Sequence, residues 1–241
     1  METHCRINLW SSPRNISTAL MYSFAQRTDT TVVDEPLYAH YLARQPTAAD
    51  HPGREAILRD QSTDGREVVE TMLRAAYPTP VVVFKQMTHH LVDLPDDFLY
   101  RMVNVLLIRD PREILASFTL VVETAEAADI GVPQQGELFD KLVVAGTLCA
   151  VVDATRLLSD PRRVLEALCT RVGIAFEPGM LSWPAGPKAY DGVWAPHWYG
   201  GVHRSTGFMP YRPKDIQLPP RLDRIAEACM PVYRRLLDHA I

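Results

Sequence analysis

Short runs of Val, Ile and Leu, nearly free of polar alternation, decide most of what this chain can fold into. They are Ile7–Trp10, Thr31–Val33, Val81–Phe84 and Val103–Ile108. A strand with one wet face alternates apolar and polar side chains, whereas a run that is apolar throughout is covered on both faces. Longer stretches with helical spacing separate the runs. That order of elements predicts βαβ units and an α/β fold with a central, mostly parallel sheet flanked by helices.

Ile16, Leu20 and Phe24 recur at intervals of four and predict a helix starting near Ile16. Further helices are predicted over Arg66–Tyr77, Arg112–Val122, Gly136–Val144, Arg162–Val172 and Arg221–His239. The Arg112 helix opens just behind Pro111, whose missing N–H costs nothing at a first helical position. The last helix carries Pro231 and is expected to kink there. Cys149–Asp153 fits either a fifth strand or the end of the preceding helix. Ala43–Gly65 and Phe176–Pro213 resist regular assignment, and the second holds Trp183, Trp194 and Trp198 among many Pro and Gly. No linker-like stretch divides the chain, so residues 1–241 are read as one domain.

The 25 Lys and Arg stand against 29 Asp and Glu, a formal charge of −4. A dedicated nucleic-acid binder is usually basic, so nucleic acid is not expected as a partner and any anion site must be built locally. Cys5, Cys149, Cys169 and Cys229 are scattered without a Cys-x-x-Cys pair, which argues against a zinc knuckle or redox dithiol and fits a reducing cytoplasm. The start METHCRINLW lacks the basic segment and apolar core of a signal peptide. The longest nearly apolar run, Leu142–Val152, falls short of the ~20 residues that span a bilayer. A soluble cytoplasmic protein without membrane association is expected. No His-x-x-x-His, His-x-Glu or acidic cluster appears, and adjacent His89 and His90 are not expected to project the same way. No metal is therefore expected.

Two stretches carry chemistry. INLWSSPRNISTAL reads as strand, tight turn and helix, the arrangement by which a parallel sheet presents free backbone N–H groups and a helix dipole to phosphate. Ser12, Asn15, Ser17 and Thr18 add side-chain donors and Arg14 a fixed charge. Capping by Ser12 or Asn15 explains one or two of these residues. It does not explain Arg14 inside the turn with hydroxyls on both sides. The nucleotide loop G-x-x-x-x-G-K-[ST] is absent, since the turn has neither Gly nor Lys. In VNVLLIRDPREILASF a buried strand runs into Arg109, and Asp110–Pro111 turn it into a helix holding Ser117. Arg109 and Ser117 together suit a phosphate. Surface pairing of Arg109 with Asp110, or of Arg112 with Glu113, is the plain alternative.

Taken together, the order and spacing of the two stretches resemble sulfotransferases that use 3′-phosphoadenosine 5′-phosphosulfate (PAPS). In that family an early loop, usually P-[KR]-S-G-T-T, grips the 5′-phosphosulfate end; Pro13, Arg14, Asn15, Ile16, Ser17 and Thr18 stand in those places. A later R-x-P-x-x-x-x-x-S stretch grips the 3′-phosphate, and Arg109 with Ser117 matches it. Ile16 replaces the Gly, Asn15 replaces Ser, and Ala19 stands where many cytosolic members stack a Trp on adenine. LEALCTRVGIAFEPGMLSWPAGP is similar to a late helix and acceptor-side loop of bacterial members. WYGGVHRSTGF sits where the family has a cofactor-covering loop, which implies nucleotide contacts from Arg204, Ser205, Thr206 and Gly207. The resemblance implies a P-loop nucleotide-hydrolase-like architecture. It also implies in-line transfer of a sulfuryl group from PAPS to a hydroxyl or amine of a small molecule or carbohydrate, leaving adenosine 3′,5′-bisphosphate.

Such chemistry needs a cation for the leaving phosphate, for which Arg14 stands first and Lys85, behind the run VVVFK, second. It also needs a proton acceptor, and two residues contend. Glu35 lies in VVDEPLY, a Glu-Pro context resembling that of carbohydrate sulfotransferases. Its plain alternative is a carboxylate at a helix start. His89 falls in a stretched version of the family's Lys-Thr-His pattern, four residues after Lys85. Trp194, His197, Trp198 and Tyr199 suit either stacking on a ring or packing of their loop, and Tyr38, His40 and Tyr41 are candidates for the acceptor side. Two other functions stay open: a P-loop kinase-like phosphotransferase, disfavoured by the missing Gly and Lys, and a nucleotide-binding module of this fold without turnover.

Overall fold

The computed structural model describes residues 4–45, 51–120 and 125–241. Its elements follow in chain order as β1 (Cys5–Ser11), α1 (Ser17–Phe24), β2 (Thr30–Asp34), α2 (Tyr38–Arg44), α3 (Arg54–Asp60), α4 (Gly65–Arg74) and β3 (Val81–Met87). Then come β4 (Val103–Ile108), α5 (Pro111–Phe118), α6 (Val132–Val144), β5 (Leu148–Asp153), α7 (Ala154–Ser159), α8 (Pro161–Val172), α9 (Ala195–Trp198), α10 (Gly200–His203) and α11 (Pro220–Leu237). The five strands form one sheet in the order β2-β3-β1-β4-β5, and every pairing is parallel.

Side chains of a strand alternate between faces, and here both alternating sets are apolar. Ile7, Leu9, Val81, Val83, Val105, Leu107, Ala150 and Val152 pack with α1, α7 and α8 on one side. Trp10, Val82, Phe84, Leu106, Ile108 and Val151 pack with α4, α6 and α11 on the other. This is why the runs read as continuously apolar.

Cys149–Asp153 belongs to β5, so that stretch is strand and not helix end. The apolar run Leu142–Val152 is divided between the end of α6 and β5. No helix among the described residues is long and apolar enough to cross a membrane. Ala43–Gly65 is more regular than its polarity predicts, because Arg54–Asp60 is a helix. Its residues 46–50 lie outside the described ones, as does Val122, the predicted end of the helix observed over Pro111–Phe118. The helix predicted to reach Tyr77 stops at Arg74, and the one predicted from Gly136 begins a turn earlier, at Val132. Helix α11 is assigned without interruption through Pro231.

Strand order decides where a ligand can sit. From central β1 the chain passes through α1 to β2 on one side of the sheet. From its neighbour β4 it passes through α5 and α6 to β5 on the other. Connections that diverge from adjacent parallel strands leave a crevice at the carboxyl ends of those strands.

Candidate active site

The turn after β1 is held by Asn15, whose Nδ2 donates to the Leu107 carbonyl of β4 at 2.7 Å and to Ser12 Oγ at 3.2 Å. Neither Ser12 nor Asn15 caps α1, which has no side-chain cap. The first-turn N–H groups at Ser17 and Thr18 therefore keep their donors at the positive end of the helix. Arg14 and Ile16 have φ of 56° and 26°. A β-branched residue there is an outlier, and such a conformation costs about 1–3 kcal/mol. Ile16 thus keeps positive φ at the position where the related loop carries Gly.

The two arginines meet. Arg14 reaches α5, with Nε donating to Ser117 Oγ at 2.9 Å and Nη1 to the Trp198 carbonyl at 3.3 Å. Arg109 donates Nη1 to the Arg14 carbonyl at 2.6 Å. Burial, and then the neighbouring Arg109 charge, lower the Arg14 pKa from its ordinary value. Two cations so close and partly desolvated concentrate positive potential in the crevice. Neither surface pairing considered from sequence occurs. Arg109 pairs with Glu113 at 2.6 Å; Asp110 caps α5; Arg112 pairs with Asp223.

At the carboxyl ends of β2 and β3 lies a second charged group. Lys85, 1% exposed, donates to Asp34 Oδ1 at 2.8 Å, to Tyr199 Oη at 2.7 Å and to Glu35 Oε1. Tyr199 in turn donates to Asp34 Oδ2 at 2.7 Å and accepts from Trp194 Nε1 at 2.9 Å. Glu35 is not the helix-start carboxylate considered from sequence, because no acidic residue lies in the first turn of α2. Burial, the largest influence, raises its pKa to about 6, Asp34 acts the same way, and Lys85 opposes both.

Thr88–His90 form a single 3₁₀ turn after β3. Contrary to the expectation that His89 and His90 diverge, both line one cavity, with ring centroids 4.6 Å apart. His90 is stacked between Tyr38 and Tyr41, each 4.7 Å away. Burial pushes His89 down to about 3, and its Nδ1 has no partner. His89 is therefore a neutral ring at physiological pH.

One cavity of about 330 Å³ joins these groups. It is lined by Arg14, Asn15, Ile16, Ser17, Thr18, Arg109 and Ser117, by Glu35, Lys85 and His89, and by Ser205 and Gly207. Ser12 is buried beneath the turn, and Arg204 and Thr206 are exposed; none of the three is among the lining residues. Tyr38 and Trp198 line the cavity. His40 does not: its Nε2 meets the Val92 carbonyl at 2.7 Å, and its Nδ1 accepts from Gly65 N at 3.1 Å, so it pins α2 to its neighbours. His197 is exposed. Among the described residues, no group of three His, Cys, Asp or Glu is placed to hold a metal.

Asp34, Tyr199 and Glu113 were not singled out for these roles from sequence. A readable signal existed for the first: a lysine in a buried strand requires a counterion, and the adjacent carboxylates of VVDE end the neighbouring strand. Tyr199 and Glu113 acquire their partners only through tertiary packing.

The all-parallel sheet and the crevice at its carboxyl edge define a P-loop-like α/β architecture. The chain belongs to the sulfotransferase family: the family's sequence profile, described as "Sulfotransferase domain", matches residues 5–240. The fold is shared with the sulfotransferase from Alicyclobacillus acidocaldarius (TM-score 0.57, 14% identity, 95% of this chain and 93% of that one). It is also shared with the sulfotransferase domain of the Synechococcus PCC 7002 olefin synthase (TM-score 0.51, 18% identity, 95% of each chain). A plant relative, "Branched-chain-amino-acid aminotransferase-like protein 1" of Arabidopsis thaliana, is 38% identical over 97% of this chain. The chain spans only 42% of that relative's length.

Proposed function

We propose that this chain is a PAPS-dependent sulfotransferase acting on a hydroxyl or amine of a small-molecule or carbohydrate acceptor. The observation that carries the reading is the meeting of Arg14, Ser117 and Arg109 in one cavity that Glu35 also lines. The donor set suits a nucleotide with phosphates at two ends: two arginines, uncapped N–H groups of α1 and a hydroxyl, with aromatic Trp198 beside them. When bound, PAPS supplies a sulfuryl group whose sulfur–oxygen bond to phosphate breaks as the acceptor heteroatom bonds to sulfur.

In this reading, Arg14 and the first-turn N–H groups of α1 stabilise negative charge on the leaving phosphate, an electrostatic contribution that is large in such sites. Arg109 and Ser117 hold the 3′-phosphate. Glu35 takes the acceptor proton. A carboxylate with a pKa of about 6 is a better base near neutrality than an imidazole pushed down to about 3, which favours Glu35 over His89. Lys85 has its three N–H groups engaged by Asp34, Glu35 and Tyr199, so it orients the base. His89, with its ring beside Tyr41 and His90, forms part of the acceptor wall. Four free cysteines fit work in a reducing compartment such as the cytoplasm, and residues 1–241 act as one unit.

Calorimetric titration with adenosine 3′,5′-bisphosphate tests the reading. Saturable binding is expected, weakened roughly ten- to hundred-fold in Arg109→Ala for loss of a charge-assisted contact. Indifference to that nucleotide alongside stabilisation by magnesium-ATP refutes it.

A further inference from the structure

The guanidinium of Arg109 has five N–H donors in a fixed fork. Glu113 Oε2 takes Nε at 2.8 Å and one N–H of Nη2 at 2.6 Å, and the Arg14 carbonyl takes one N–H of Nη1. One N–H on each terminal nitrogen remains, so the direction of that pair is set by the Glu113 carboxylate. The second oxygen of Glu113 accepts from Tyr211 Oη at 2.9 Å, across 98 residues of sequence. Tyr211 also donates its backbone N–H to the carbonyl of Leu158, itself a cavity-lining residue, at 3.3 Å.

The segment leading to Tyr211 forms one wall of the same cavity through Gly207, Phe208 and Met209. Its near end is held by the bridge between Gly207 and Ser182 and by the edge-on contact of Phe208 with Trp183 at 5.1 Å. Its far end is held at Tyr211. Between these anchors Met209 lines the cavity yet is 68% exposed, a polarisable apolar side chain left open at the rim. Tyr211 therefore ties two things together: the position of the wall and the orientation of Arg109.

We propose that Tyr211 is a positioning residue for the nucleotide, acting through Glu113 on Arg109 and through the 207–211 segment on the cavity wall. The inference rests on the donor site assigned above. It requires that removing a single hydroxyl from a half-buried side chain loosens the nucleotide without unfolding the chain.

The test compares the parent with Tyr211→Phe for binding of adenosine 3′,5′-bisphosphate, by calorimetry and by stopped-flow dissociation. The variant is expected to bind roughly five- to ten-fold more weakly, the net worth of one ordinary hydrogen bond, mostly through faster dissociation. Its melting temperature without nucleotide should match the parent's. In a Glu113→Gln background the same substitution should cost less than about two-fold, since coupled residues are not additive. Unchanged affinity and dissociation in Tyr211→Phe overturns the proposal while leaving the donor site standing. A lowered melting temperature with unchanged affinity does the same and assigns Tyr211 to structure alone. A parent that does not bind the nucleotide overturns both readings.

Discussion

Replacing Lys85 by Met keeps the volume of the stem and removes the charge on which the buried group depends. The Asp34 and Glu35 side chains are 2% and 8% exposed in their pairs with Lys85. Removing one partner of a buried pair destabilises by about 3–5 kcal/mol, because the other charge is left desolvated. Asp34 still receives Tyr199 Oη and Gly192 N, so the loss should fall at the lower end, about 3 kcal/mol. At about 2–4 °C per kcal/mol for a chain of this size, the melting temperature should drop by roughly 6–12 °C. The loss must also depend on pH. Without Lys85 the largest influence that lowers the Glu35 pKa is gone, so the group sits further above its unfolded value. A carboxyl with a raised folded pKa favours the native state below its unfolded pKa and loses that contribution as pH rises through the folded one. Thermal melts between pH 5 and pH 8 should therefore show the variant's deficit growing with pH. A drop under about 2 °C, or a deficit constant across that window, would refute the reasoning that Lys85 compensates a buried carboxylate pair.

Further outcomes follow from the same group. If Glu35 is the base, turnover should rise with pH through about 6 and level off above it, and Glu35→Gln should abolish turnover while leaving nucleotide affinity intact. A flat profile from pH 5 to 8 would exclude Glu35. In stability the sign is opposite: raising the Glu35 pKa from its ordinary 4.5 to about 6 costs the parent about 2 kcal/mol relative to Glu35→Gln as pH rises through that interval. Tyr199→Phe strips the hydroxyl that accepts from Lys85 and Trp194. It leaves the Trp194 N–H buried and unpaired, a loss of about 1–3 kcal/mol in urea denaturation. Retention of parent stability there would show that the hydroxyl is dispensable.

The strands were legible because they are buried on both faces, which writes an uninterrupted apolar run into the chain. The two arginines were legible as separate motifs because each stands just beyond the end of a buried apolar strand, where a charged residue is conspicuous. Helix ends were read less well: the helix over Gly65–Arg74 stops short of Tyr77. Arg54–Asp60 passed unnoticed because it is short and only Ile57 in it is buried. The divergence expected of His89 and His90 failed because it assumed a strand or an α-helix, and the residues occupy a 3₁₀ turn.

Sequence alone determined the layered α/β architecture and the basic and hydroxyl residues at the strand ends, since both follow from local patterns of burial and charge. Only the tertiary structure decided which groups share one cavity. Strand order brings the ends of β1 and β4 side by side, so that Arg109 touches the Arg14 carbonyl across 95 residues. It likewise sets Lys85 against Asp34 and Glu35, so that one buried cation offsets two carboxylates. Contacts of that kind depend on which strands are neighbours, and neighbourhood in a sheet is settled by the packing of the whole chain.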